Sequence, residues 1–121
     1  MPAESRFYAS LGRPRRHFTG SAFRERIRRR TAFFDRQTVD AVKDGFRQIV
    51  VVGAGYDGRA IRFASPGVRF FEVDHPATQL DKRARLASVG VVLPDVVFLP
   101  IDLLQDNLRS ALRAGVAAVS P

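Results

Sequence analysis

Cysteine is absent from the 121-residue chain, which excludes disulfides and thiolate metal sites. No apolar run approaches the roughly 20 residues that a membrane-spanning helix needs. The amino-terminal stretch is basic but lacks the apolar core of a secretory signal, so a cytoplasmic protein is expected. Internal repeats are absent. Acids are scarce in the first part: Met1 to Arg47 carries 12 Lys or Arg against 5 acids, and the remainder carries 8 against 7. A basic half can serve nucleic acid, a lipid surface or an anionic small ligand, or can be a solvated arginine-rich helix. Its bases are not interleaved with an aromatic platform and no groove-reading motif is present, so a nucleic-acid role is not expected.

What is present is the order of parts of an α/β fold. The length allows one domain with a modest core. Residues 1–22 read as a poorly ordered basic arm, with scattered Gly and Pro and no clear period. Ser21 offers a cap for a helix from Phe23 to about Lys43, striped by Phe23, Ile27, Phe34, Val39 and Val42. Ile49 to Val52 is a β-branched run of the kind buried on both faces of a parallel sheet. A glycine turn, a helix over Asp57 to Ala64 and a second strand over Val68 to Val73 follow. Pro76 to Ser88 predicts a helix that opens with proline in its first turn. Val96 to Pro100 predicts a third strand. Asp106 to Ala114 predicts a last helix, stopped by Gly115, after which a new segment begins. Strands alternating with helices imply parallel β-α-β units.

The chemistry concentrates between Arg47 and Pro76. Gly53-Ala54-Gly55-Tyr56-Asp57-Gly58 follows a strand and opens a helix, matching the Gly-x-Gly-x-x-Gly spacing of adenosine-cofactor turns. Glycine there permits the tight turn and lets a ligand approach bare backbone. Glu72 and Asp74 end the second strand, where an acid can accept from both ribose hydroxyls. Asp74, further out, is the preferred ribose ligand. Glu72 is read either as a second site acid that holds an amide or arginine, or as an ordinary ion-paired carboxylate. Asp102 ends the third strand, placed either to accept from an adenine amino group beside Leu103 or to cap a helix before Gln105 to Leu108. A nicotinamide or flavin oxidoreductase uses the same fingerprint, but Asp57 in the turn would lie close to a pyrophosphate. An inactive gene remnant is a further reading.

Gly53 to Arg59 followed by Phe71-Glu72-Val73-Asp74-His75-Pro76 resembles the leucine carboxyl methyltransferase family, which includes S-adenosylmethionine-dependent O-methyltransferases. Gln79 to Leu86 and Arg30-Thr31-Ala32-Phe33-Phe34-Asp35 look like further family segments, and the resemblance runs from about Ile27 to Pro121. It implies that Arg30 binds the methionine carboxylate of S-adenosylmethionine. It implies that Gly53, Ala54 and Gly55 pass beneath the methionine portion, that Asp74 holds the ribose, and that Asp102 and Leu103 frame the adenine. Gly58 departs from the family's usual Thr, so a looser turn is expected. The family continues into a fourth strand and an acceptor-binding half beyond Pro121. Residues 23–121 therefore read as a partial cofactor domain: the amino-terminal half of a Rossmann-like sheet, three parallel strands in order 3-2-1 with flanking helices. The expected partner is a small-molecule methyl acceptor, with self-association through an uncovered sheet edge. Neither His17 nor His75 is nominated as catalytic, and no metal site is expected.

Overall fold

A computed structural model describes residues 2–12 and 20–119. Helices α1 (Ala3–Ser10) and α2 (Ser21–Lys43) precede strand β1 (Gln48–Val52). The chain continues through α3 (Arg59–Arg62), β2 (Arg69–Asp74), α4 (Pro76–Ser88), β3 (Val96–Pro100) and α5 (Leu108–Val119). The strands form one parallel sheet in spatial order β1-β2-β3, so the expected 3-2-1 half-sheet is present. Val50 pairs with Phe71, and Glu72 pairs with Phe98.

Alternation along β2 sets up the two faces of the sheet. Phe70 turns toward Ala60 and Val68, with Ile49 and Val51 beside it. Phe98, in register with Glu72, packs with Phe7, Leu86 and Val91 on that same face. Phe71 and Val73 lie on the opposite face and are fully buried. Each such phenylalanine contributes about 1.5–3 kcal/mol through burial.

Residues 3–10 correct the expectation of a loose arm. They form a helix whose Phe7 is wholly buried. One apolar side chain anchors it, and polar contacts complete the docking: Arg62 Nη1 reaches Glu4 at 2.5 Å, and Arg85 Nη1 donates to the Ser10 carbonyl at 2.6 Å. Met1 and residues 13–19 of the predicted arm lie outside the described residues. α2 begins at Ser21 itself, after Gly20 and without a side-chain cap. Arg62 Nη2 also binds Asp35 of α2 at 2.5 Å, so one guanidinium joins α1 to α2.

α3 is shorter than predicted, four residues in place of the span Asp57 to Ala64. α5 starts after Asn107, whose side chain accepts from the Ser110 amide, and it runs through Gly115 to Val119. Gly115 is therefore not a stop. A Cβ there would lie 2.6 Å from Leu99 Cδ2, so the glycine lets the helix approach the sheet closely.

β1 also departs from expectation. Ile49 and Val51 are half-buried, whereas Val50 is 43% and Val52 50% exposed. The β-branched run is thus covered on one face only, and β1 is an edge strand of the described sheet. Arg47 O accepts from Arg69 N, and Gly53 N donates to Val73 O. In a parallel ladder the backbone groups of Gln48, Val50 and Val52 then face outward. Among the described residues, no strand pairs with that edge. No helix of the described residues is long and apolar enough to cross a membrane.

Candidate cofactor site

The carboxyl end of β1 runs directly into the glycine turn. Gly53 N and Ala54 N both donate to Val73 O, at 2.8 and 3.1 Å, which tucks the turn against the end of β2. Gly53 and Gly55 have φ of +66° and +50°, the left-handed region that side chains disfavour. A Cβ on either would meet nothing within 4 Å, so both face open space. The expected bare backbone is therefore present.

Asp74 closes the corner. Its Oδ2 accepts from Gly55 N at 2.8 Å, and its Oδ1 accepts from His75 N at 2.8 Å. Amide donors to both oxygens fix the plane of the carboxylate. The residue remains partly exposed, so remaining acceptor positions on the oxygens are open to solvent. His75 is held as the α4 cap, its Nδ1 accepting from Ala77 N at 3.1 Å.

Arg30 stands on α2, across a cavity of about 490 Å³ that Val52, Gly53, Asp57 and Arg59 also line. It is exposed and makes no ion pair among the described residues. The neighbouring Arg28 and Arg29 instead pair with Glu25 on the surface. The structure therefore brings Arg30 and Gly53 to one cavity, and Gly55 and Asp74 into direct contact beside it.

Asp102 and Leu103 follow the end of β3 and do not line that cavity. Ile101 N donates to Asp74 O at 2.9 Å, which fixes the end of β3 against the corner. Asp102 Oδ1 accepts from Leu104 N at 3.0 Å, and Asp102 N donates to Asp106 Oδ2 at 2.8 Å. Asp102 thus holds its own turn and caps no helix over 105–108, because α5 opens only after Asn107; the residue is half-buried. Leu103 is 48% exposed.

Glu72 does not join the exposed corner. It is buried, and both oxygens accept from Lys82 Nζ at 2.8 Å. The structure takes the ion-paired alternative for this acid. Burial pushes its carboxyl above the ordinary range, and the Lys82 ammonium opposes that shift. Asp57 likewise does not present a bare charge to a ligand. Its Oδ2 accepts from Arg59 Nη1 at 2.7 Å and its Oδ1 from Arg59 N at 2.7 Å. With its charge paired to Arg59, Asp57 would repel a pyrophosphate less than a bare carboxylate there would.

Sequence reasoning passed over Lys82, Arg59 and Tyr8. Lys82 carried a signal: Gln79, Lys82 and Leu86 are the buried positions of α4, at the spacing of an inward stripe. A lysine on such a stripe needs a buried acid, and Glu72 is on the facing strand. Gly58 explains its departure from Thr. A Cβ there would lie 2.5 Å from the Tyr8 hydroxyl oxygen and 3.0 Å from Glu4 Oε1, so α1 occupies the space a side chain would need. Gly58 N also donates to that hydroxyl, which ties the turn to α1 at this position.

A sequence model of the leucine carboxyl methyltransferase family matches residues 3–118. The chain belongs to this family. A Mycobacterium marinum protein is 39% identical over 94 residues, covering 76% of this chain and 30% of its own length. A Mycobacterium ulcerans protein is 39% identical over 95 residues, covering 76% and 31%. A Mycobacterium avium protein is 38% identical over 100 residues, covering 81% and 32%. Each is provisionally named as an S-adenosyl-L-methionine-dependent methyltransferase. The chain spans about 30% of the length of these relatives. The family match begins at Ala3, so α1 is part of the family region and not an appendage.

Proposed function

We propose that the chain forms the cofactor-binding side of an S-adenosylmethionine-dependent methyltransferase that methylates an oxygen, hydroxyl or carboxylate, of a small molecule. One observation carries the reading. A carboxylate at the end of β2 is held 2.8 Å from the amide of a left-handed glycine that opens onto free space. A ribose diol can then bind Asp74 while an amino-acid chain lies along Gly53, Ala54 and Gly55. Arg30, across the cavity, offers a planar pair of donors to a carboxylate. Asp102 and Leu103 would frame the adenine, Leu103 by contact and Asp102 by its remaining acceptor capacity. Glu72 supports the site from beneath through Lys82 and does not touch the ligand.

When bound, the sulfonium cofactor supplies an electrophilic methyl for in-line displacement. The residues of this chain bind and orient, and no proton transfer is assigned to any of them. A carboxylate acceptor is already a nucleophile and needs no general base, whereas a hydroxyl acceptor would require one. The unpaired edge of β1, with Val50 and Val52 exposed beside it, further favours self-association of the isolated chain by strand pairing.

Thermal denaturation with S-adenosylmethionine, S-adenosylhomocysteine and NAD tests the cofactor. A ligand at about 100 times its dissociation constant stabilises by about 2.7 kcal/mol. The expected result is a raised midpoint with the first two ligands, none with NAD, and loss of the rise in Asp74→Ala. No rise with either adenosyl ligand at millimolar concentration overturns the reading, and a rise with NAD alone replaces it with the oxidoreductase alternative.

A further inference from the structure

We propose that Lys82 is a positioning residue that holds the glycine turn in its ligand-accepting shape by tethering the Asp57 carbonyl, with Glu72 as its anchor. The inference rests on the cofactor reading above and deepens it.

Lys82 Nζ donates to Asp57 O at 2.6 Å and to the two Glu72 oxygens at 2.8 Å each. An ammonium has three donors. All three are engaged, so none is left for a ligand. The side chains of both partners are at most 3% exposed, and the ammonium lies 5.8 Å from the centre of the Phe7 ring. A buried ion pair is a poor source of stability, since apolar residues of similar size commonly serve as well. What an apolar residue could not supply is the bond to a main-chain carbonyl in the turn.

That bond completes a ring of contacts. The turn is pinned at its start by Val73 O, at Gly55 by Asp74, and at Asp57 by Lys82. Glu72 and Asp74 belong to the same strand, so Lys82 fixes the far limb of the turn to the strand whose tip holds the near limb. Two left-handed glycines leave the intervening backbone with many alternatives. Without the tether, the Gly55 amide leaves Asp74 more often, and the carboxylate loses the plane that a diol needs.

The test compares the wild type, Glu72→Gln and the double variant Glu72→Gln/Lys82→Met. It measures S-adenosylhomocysteine affinity by calorimetry, the thermal midpoint, and hydrogen exchange at the Gly55 amide. The double variant removes both charges together and avoids stranding either one. Its midpoint is expected within about 4 °C of the wild type, while its affinity falls about tenfold or more and Gly55 exchanges faster. Glu72→Gln alone keeps an acceptor for Lys82 and the Lys82 bond to Asp57, so its midpoint falls while its affinity falls less than that of the double variant. A double variant with wild-type affinity and wild-type Gly55 protection overturns the inference. If the wild type binds no S-adenosylhomocysteine, the cofactor reading fails, and Gly55 exchange still decides the role of Lys82.

Discussion

The Tyr8 hydroxyl accepts the Gly58 amide at 3.0 Å, across fifty residues of sequence, and occupies the place where a side chain on Gly58 would begin. The amino-terminal helix and the glycine turn are therefore fitted to one another. Gly58→Ala is expected to destabilise the protein by about 1–3 kcal/mol through overpacking. Adding Tyr8→Ala should remove most of that penalty, because the clashing oxygen is gone. Chemical denaturation of the two single variants and the pair measures the coupling.

Gly55 makes a separate demand. Its φ of +50° costs an L-residue about 1–2 kcal/mol, yet no atom stands in the way of a Cβ. Gly55→Asn should lose less stability than Gly55→Ala, since asparagine tolerates the left-handed region better. Both should lose S-adenosylhomocysteine affinity beyond what their stability loss explains, because either side chain enters the space assigned to the ligand. Equal ligand affinity in Gly55→Ala and wild type would count against that assignment.

Glu72 gives the protein a pH dependence with a definite sign. Burial raises its folded-state pKa above the ordinary 4.5, with Lys82 opposing. The folded state then binds its proton more tightly than the unfolded chain does. This contribution to stability is full below the unfolded value and is lost as pH rises through the raised folded value. Subtracting the pH profile of Glu72→Gln from that of the wild type should leave a difference that falls from acid toward neutral pH. Urea denaturation across that range reads it directly.

The open edge of β1 predicts concentration-dependent association. Val50→Lys places a charge beside the unpaired backbone, a substitution that discourages strand pairing. Sedimentation velocity should show the wild type shifting to larger species as concentration rises, and the variant shifting less. Secondary structure should be unchanged, because Val50 is already exposed.

The legible parts of the chain were those where periodicity and turn chemistry agreed. The strand into Gly53, the acid at the tip of β2 and the helix Pro76–Ser88 all lie where the sequence places them. α1 was not legible because one residue, Phe7, carries its burial, and a single aromatic among polar neighbours shows no period. Gly115 misled because a glycine that stops a helix and one that admits a neighbouring side chain look alike until Leu99 is in place. Glu72 and Asp74 share a face of β2 and a charge. Only Lys82, ten residues along the chain, separates the buried acid from the open one.

Arg62 carries a practical consequence. Its two terminal nitrogens grip carboxylates from the first helix and the long second helix. Trimming the amino end, or fusing a purification tag ahead of Ala3, alters one side of that grip. The same guanidinium holds Asp35 on the helix on which Arg30 stands. Preparations that differ only in their first few residues should therefore be compared for ligand binding before any of them is taken to represent the native molecule.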